Sequence, residues 1–238
     1  MTPQPAFLLH RKPYRETSAI IELLTLEHGR VRAVARGVQR PGSKARARLQ
    51  PFTPLHVTWR GESDLKTLNL METGGSASLL AGEGLLCGFY ANELLTRTLP
   101  VEMPVPELFA LYSLTLDEVA LPARRAPALR RLEYSLLEAL EQLPQFRALD
   151  DSPLMPDVRY DYVVSERRFQ AQPPGAAGIE GRALKLLASE DWGHQGLARE
   201  SLWLARRALA PLLGDRPLRS RELMMQLTAR RRQSRLAD

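Results

Sequence analysis

Residues 29–53 read GRVRAVARGVQRPGSKARARLQPFT and carry Arg30, Arg32, Arg36, Arg40, Lys44, Arg46 and Arg48 without a carboxylate. The acid-free window runs wider, from Glu27 to Glu62. Arg30, Arg32 and Arg36 share one parity, and Val31, Ala33 and Ala35 share the other. Side chains of a strand point alternately to opposite faces, so this spacing predicts a strand with guanidinium groups on one side and small apolar groups on the other. A cationic strand that runs into a basic loop containing Gly, Pro and Ser suits a polyanion. The plainer alternative is a solvated edge strand, where Lys and Arg discourage unwanted pairing.

Further short strands flank this stretch. AFLLHRK (6–12), SAIIELLTL (18–26), LHVTWRG (55–61) and LKTLNLMET (65–73) are separated by turn-like PYRET, His28-Gly29 and Glu62-Ser63-Asp64. Five short strands with frequent turns predict a small closed β-barrel over residues 1–78. The net charge lies in the same region. The 238 residues carry a formal charge of +6, with twelve Lys/Arg against six Asp/Glu up to Leu80 and 21 of each after it. The excess marks the barrel as the expected electrostatic footprint. Only four of the 33 basic residues are lysines throughout the chain, so their clustering carries the information and the choice of Arg does not.

From Ser78 the period becomes helical. Leu85, Leu86, Phe89, Tyr90, Leu94 and Leu95 recur at three-to-four spacing, as do Leu108, Phe109, Leu111, Tyr112 and Val119. Pro106 and Pro127 sit where first-turn prolines belong. The leucines of 127–143 form one apolar stripe, a helix face built for a core. Residues 150–178 break the pattern and read as a β-hairpin. Helices resume over 179–190, 197–213 and 218–232, with Gly214 as a C-cap and ARRRQSRLAD (229–238) as a solvated basic tail. The expected class is α+β: a barrel over 1–78, then a helical domain over 79–238 with a small β element at 150–178.

Catalytic constellations are missing. His10, His28, His56 and His194 are scattered and lack spaced ligand partners. Cys87 is the only cysteine, which excludes an internal disulfide or a multi-thiolate zinc site. Gly37-Val-Gln-Arg-Pro-Gly42-Ser43-Lys44 fails as a phosphate loop because Lys must precede the Ser/Thr that reaches Mg²⁺. Gly82-Glu-Gly84-Leu-Leu-Cys-Gly88 has one residue too many for a dinucleotide turn. No apolar run approaches membrane-spanning length, and the N-terminus lacks a signal-peptide core. The expectation is a soluble cytoplasmic binding protein, not an enzyme, with no cofactor, metal or small-molecule substrate.

Residues 6–40, together with LQPFTPLHVTWRGESDLKTL (49–68), FYANELLTRTLP (89–100), PALRRLEYSLLEAL (127–140) and RRALAPLLGDRPLRSREL (206–223), resemble the RecO family of DNA repair proteins. The resemblance covers nearly the whole chain. It implies an N-terminal OB-fold, a helical domain and a small β element between helices. It also implies a recombination mediator that binds single- and double-stranded DNA and anneals complementary strands. With RecR, and by contacting the acidic C-terminal tail of single-stranded DNA-binding protein (SSB), such a mediator helps load RecA. That role would associate it with the nucleoid. Many family members hold zinc through four cysteines in the β element. Residues 150–178 have no cysteine, so here the element is a degenerate zinc-finger-like hairpin, expected to pack through Val158, Tyr160, Tyr162, Val163 and Phe169.

An OB-fold grips single strands with a cationic groove and aromatic platforms. The expected DNA-binding residues are Arg30, Arg32, Arg36, Arg40, Lys44, Arg46, Arg48 and Tyr14; Phe52 is more suited to the core, and Trp59 suits core or platform equally. An RNA-binding barrel with a helical partner platform is the alternative, because composition does not register the 2′-hydroxyl. A second basic cluster, Arg124, Arg125, Arg130 and Arg131, lies between Glu118 and Glu133. If Pro127 opens a helix, Arg130 and Arg131 fall in its first turn, where the helix dipole disfavours cations and an anionic partner would compensate; the alternative is a solvated helix start paired with Glu133 or an acid of another domain. The resemblance places the SSB tail in the helical domain, which makes Arg130 and Arg131 the expected SSB-tail residues. Leu108 and Phe109 are the expected walls of its apolar pocket.

Overall fold

A computed structural model describes residues 2–189 and 192–237. The chain forms two compact units: Met1–Pro122 with Pro217–Asp238, and Ala123–Arg216. In the first, β1 (Gln4–Tyr14), β2 (Ser18–Thr25), β3 (Gly29–Ala35), β4 (Leu55–Arg60) and β5 (Leu65–Thr73) close into a barrel of order β1-β2-β3-β5-β4. All its pairs are antiparallel except β3 with β5. The alternation in β3 works as its sequence dictates. Val31, Ala33 and Ala35 are buried at 0–1 % exposure and face Leu23, Ile21 and Ala19 of β2 across the ladder. Val57 and Trp59 of β4 join the same core, as do Val38 and Leu49 from the connector between β3 and β4.

That connector, residues 36–54, differs from the loop its composition suggests. Its centre folds into α1 (Lys44–Arg48), because the Ser43 hydroxyl accepts the Arg46 N–H at 3.3 Å and caps the first turn. Burial of Leu49 then anchors the end of this short helix on the barrel core.

Three further helices complete the first unit: α2 (Gly82–Thr98), α3 (Pro106–Val119) and α7 (Arg219–Ala237). Pro106 opens α3, where its missing N–H costs nothing. The outer side of β1 is covered, with Phe7 meeting Tyr112 edge-on at 5.1 Å and Phe109 at 5.5 Å. A register shift in β1 between Leu8 and His10 interrupts the ladder there. The Leu8 carbonyl accepts from Asn92 Nδ2 at 3.2 Å, and Asn92 Oδ1 accepts from the Tyr112 hydroxyl at 2.5 Å. All polar groups in this relay are buried, and burial pushes the Tyr112 phenol far above its ordinary value.

Helix α7 docks on α2 through one carboxylate. Glu93 accepts from the backbone N–H of Arg219 and Ser220, each at 2.9 Å, and from the Ser220 hydroxyl at 2.7 Å. Arg221 adds a bond to the Tyr90 hydroxyl at 3.0 Å. The side chains of the basic tail beyond Ala229 lie outside those described.

The second unit holds α4 (Arg125–Ala139), α5 (Gly181–Ala188) and α6 (Ala198–Leu213) with a sheet of order β7-β6-β8: β6 (Arg159–Val163), β7 (Arg168–Ala171) and β8 (Ile179–Glu180). The hairpin expected over 150–178 is present, with a third short strand added. Tyr160, Tyr162 and Phe169 are its buried side chains, while Val158 and Val163 are half-buried. Phe169 stacks on Phe146 at 5.7 Å and meets Tyr162 at 5.3 Å. Burial pushes the Tyr162 phenol up to about 12, against the opposing pull of Arg167. Gly214 ends α6 with φ 61°, the left-handed conformation suited to a glycine cap.

One sequence expectation is corrected here. Helix α4 begins at Arg125, not at Pro127, and the 3₁₀ turn Pro122–Arg124 leads into it. Proline lacks only an N–H, and first-turn N–H groups have no intrahelical partner anyway, so the helix extends N-terminally past it. Arg130 and Arg131 therefore lie in the second turn. The dipole penalty expected for them does not apply, since it fades within the first turn.

Candidate nucleic-acid interface

The seven cations of the 29–53 stretch divide into two groups. Arg30 is engaged inside the fold: its Nη1 donates to Glu22 Oε2 at 2.7 Å and its Nε to the Leu99 carbonyl at 2.7 Å. Only 15 % of its side chain is exposed. Arg32 shares the same carboxylate, with Nε 3.2 Å from Glu22 Oε1, and remains half-exposed. Glu22 faces Arg32 directly across the β2–β3 ladder, so strand register makes this pairing. Arg30 is consequently not a free phosphate ligand.

The same edge of β3 is strapped by residues 99–103. The Glu102 N–H donates to the Arg30 carbonyl at 2.8 Å, and Glu102 pairs with the buried Lys66 ammonium at 2.8 Å. Gly29 permits the strap. It has φ 60°, and a Cβ there would collide with the Met103 carbonyl oxygen.

Arg36, Arg40, Lys44, Arg46 and Arg48 are all exposed. No ion pair joins any of them to a carboxylate among the described residues. The connector that carries them lies against the β1–β2 turn, since the Gln39 N–H donates to the Thr17 carbonyl at 2.9 Å and the Gln39 side chain donates to the Ser18 carbonyl. Arg11, Lys12 and Arg15 at that turn are exposed, with Glu16 the nearby acid. One end of the barrel therefore brings Arg36 and Arg40 beside Arg11, Lys12 and Arg15, with one exposed carboxylate, and Lys44, Arg46 and Arg48 follow along the connector. Arg11, Lys12 and Arg15 flank Tyr14 in the sequence but are not among the DNA-binding residues expected from it. The usable signal was the absence of any acid among residues 1–15. Tyr14 is half-buried, with the Arg15 guanidinium 5.0 Å from its ring centre. Phe52 and Trp59 are core residues at 4 % and 6 % exposure.

The residues expected to hold the SSB tail do not come together in one unit. Leu108 and Phe109 belong to the first and Arg130 and Arg131 to the second. Leu108 is 1 % exposed and so cannot wall an open pocket, while Phe109 is half-buried against Phe7. Arg130 is 7 % exposed, and its Nη2 donates to the fully buried Glu133 Oε1 at 2.6 Å. It neutralises an interior carboxylate one helical turn away, which is why it is drawn inward. Arg131 is half-buried beside Gly193. Among the described residues, no three His, Cys, Asp or Glu side chains cluster as metal ligands, and no helix is long and apolar enough to cross a membrane.

A closed five-stranded barrel with its helix-bearing β3–β4 connector, and a cationic end, defines the oligonucleotide-binding-barrel class. Comparison with known proteins narrows the class. Residues 1–76 match the model of the Recombination protein O N terminal domain, and residues 80–147 match that of the Recombination protein O C terminal domain. The chain is 42 % identical over 229 residues to the DNA repair protein RecO of Pseudomonas paraeruginosa, covering 93 % of this chain and 94 % of that one. The RecO proteins of Nitrosococcus oceani and Coxiella burnetii are 38 % and 39 % identical, covering 94 % and 93 % of this chain and 93 % and 96 % of theirs. This chain belongs to the RecO family.

Proposed function

We propose that the protein is a DNA repair and recombination mediator without covalent chemistry. It binds single- and double-stranded DNA at the cationic end of the barrel, anneals complementary strands and, with RecR, helps load RecA onto SSB-coated single strands. The carrying observation is the exposed set Arg36, Arg40, Lys44, Arg46 and Arg48 on the connector that starts beside the β1–β2 turn, since cations without carboxylate partners are the ones able to neutralise phosphates. Arg32 lies at the rim of this surface, and Tyr14 offers a ring within it. The discriminating experiment is annealing of complementary oligonucleotides already coated with SSB. Acceleration by the protein is the expected result. Binding to bare strands without acceleration would favour a passive barrel, of which the RNA-binding alternative is one form.

Contact with the acidic SSB tail belongs to the same proposal, centred on Arg131 of α4 rather than Arg130. A charge-assisted bond to the tail's terminal carboxylate is the chemistry that recognises it. Arg131→Ala should weaken the isolated tail peptide by about 1–3 kcal/mol while leaving bare DNA affinity intact. Equal peptide affinity in parent and variant would remove α4 from the tail site.

A further inference from the structure

Among the described residues, Phe89 is the one aromatic side chain exposed on the surface, at 41 %. It lies on α2, whose inward side is made by Leu86, Tyr90, Ala91, Leu94 and Leu95. Its ring packs at 5.3 Å, tilted by 58°, on the buried ring of Phe52. Phe52 is held in a left-handed conformation, φ 62°, at the end of the cationic connector. Gly88 lets α2 come down on that ring, because a Cβ there would stand 2.9 Å from Phe52 Cε1 and Cζ. Arg48 precedes Phe52 by four residues, so its Cα lies within about 14 Å of the Phe52 Cα.

We infer that Phe89 is a base-stacking platform, and that it makes the cationic β3–β4 connector prefer single-stranded DNA to duplex. This rests on the nucleic-acid reading above and names the residue that would set its strand selectivity. Single strands are held by combining backbone-tracking cations with aromatic faces. Trp59 and Phe52 lie in the core, and Tyr14 is half-buried under its own arginine, so the barrel surface has few faces of its own to offer. Phe89 supplies one beside the connector that carries the phosphate-seeking cations. A duplex keeps its bases stacked on one another and has none to lay on Phe89, whereas a single strand can turn an unpaired base onto it. Of the acids on α2, Glu83 is six residues back and about 120° around the helix from Phe89, and Glu93, one turn on along nearly the same face, is engaged by Arg219 and Ser220 at the start of α7.

The test uses the full chain with fluorescent oligothymidine and a duplex of equal length at one salt concentration. Phe89→Ala and Phe89→Leu should each weaken oligothymidine binding by about 5- to 100-fold. Phe89→Trp should retain it, and duplex affinity should stay at the parental value in all three. Leucine preserves apolar cover over Phe52, so it keeps the test valid if the alanine variant misfolds. Unchanged oligothymidine affinity in the leucine variant overturns the inference, as does an equal loss on duplex. So does a parent that self-associates on gel filtration while the leucine variant does not, since Phe89 would then be covered by a second copy. A parent that binds neither probe instead defeats the underlying nucleic-acid reading.

Discussion

Arg30 and Arg46 occupy the same basic stretch but do opposite work. Arg30 bridges Glu22 and the Leu99 carbonyl, so its loss strands the carbonyl and leaves Glu22 with Arg32 alone. Arg30→Ala should cost about 1–3 kcal/mol of stability, visible as a lower melting temperature, with little change in the salt dependence of DNA binding. Arg46 and its neighbours touch no carboxylate, so their replacement should do the reverse. Arg36, Arg46 and Arg48 changed together to Ala should lower the log–log salt slope for single strands by up to about 2, with an unchanged melting temperature. A triple variant that keeps the parental slope would show that phosphates bind elsewhere.

At the scale of elements, the attachment of α7 to α2 depends on the ionisation of Glu93. Burial pushes its carboxyl up, but the Ser220 hydroxyl, the backbone N–H groups of Ser220 and Arg219, and the nearby Arg97 together hold it below its usual range. A carboxylate depressed in the folded state contributes stability that is fully present above its unfolded value, about 4.3, and is lost as pH falls through the lower folded value. Glu93→Ala removes a cap from the first turn of α7 and should cost about 0.5–2 kcal/mol at neutral pH. The gap between variant and parent should close as the solution is acidified below about pH 4. A gap that persists to low pH would mean that packing, not the charged cap, holds α7 in place.

At the scale of the whole molecule, the barrel is not self-sufficient. Phe7 depends on rings from α3, the Leu8 carbonyl on Asn92 of α2, and the Arg30 side chain on the Leu99 carbonyl. The first unit also takes in residues from the C-terminal end of the chain. A fragment ending at residue 78 should therefore melt without cooperativity, because its outer β1 surface loses its cover. Removing residues 217–238 should lower the melting temperature of the remainder, since Glu93 then has no α7 N–H groups to accept from. A fragment of 1–78 with a sharp transition near the full chain's would refute this dependence.

By itself the sequence determined the barrel, the helices, the cationic region and the family, because each is written in local order. Strand alternation at 30–35, leucine spacing at 129–137 and the acid-free window all survive any tertiary arrangement. Gly214 as a cap is of the same kind, since its requirement is set by its own φ. Tertiary structure alone decided which charges are available. Arg30, Arg32 and Arg36 look equivalent in sequence, but Glu22 comes opposite Arg32 through the β2–β3 register, and Leu99 approaches from 69 residues away. Arg130 and Arg131 are neighbours in sequence, but only the fold shows that Arg130 is drawn inward onto the buried Glu133. The exposure of Phe89 is likewise a product of packing. Its helical spacing reads as core, and it reaches the surface because Phe52, arriving from the barrel connector, takes the buried place beneath it. Charge and exposure depend on what long-range contacts bring alongside, and local spacing carries no record of that.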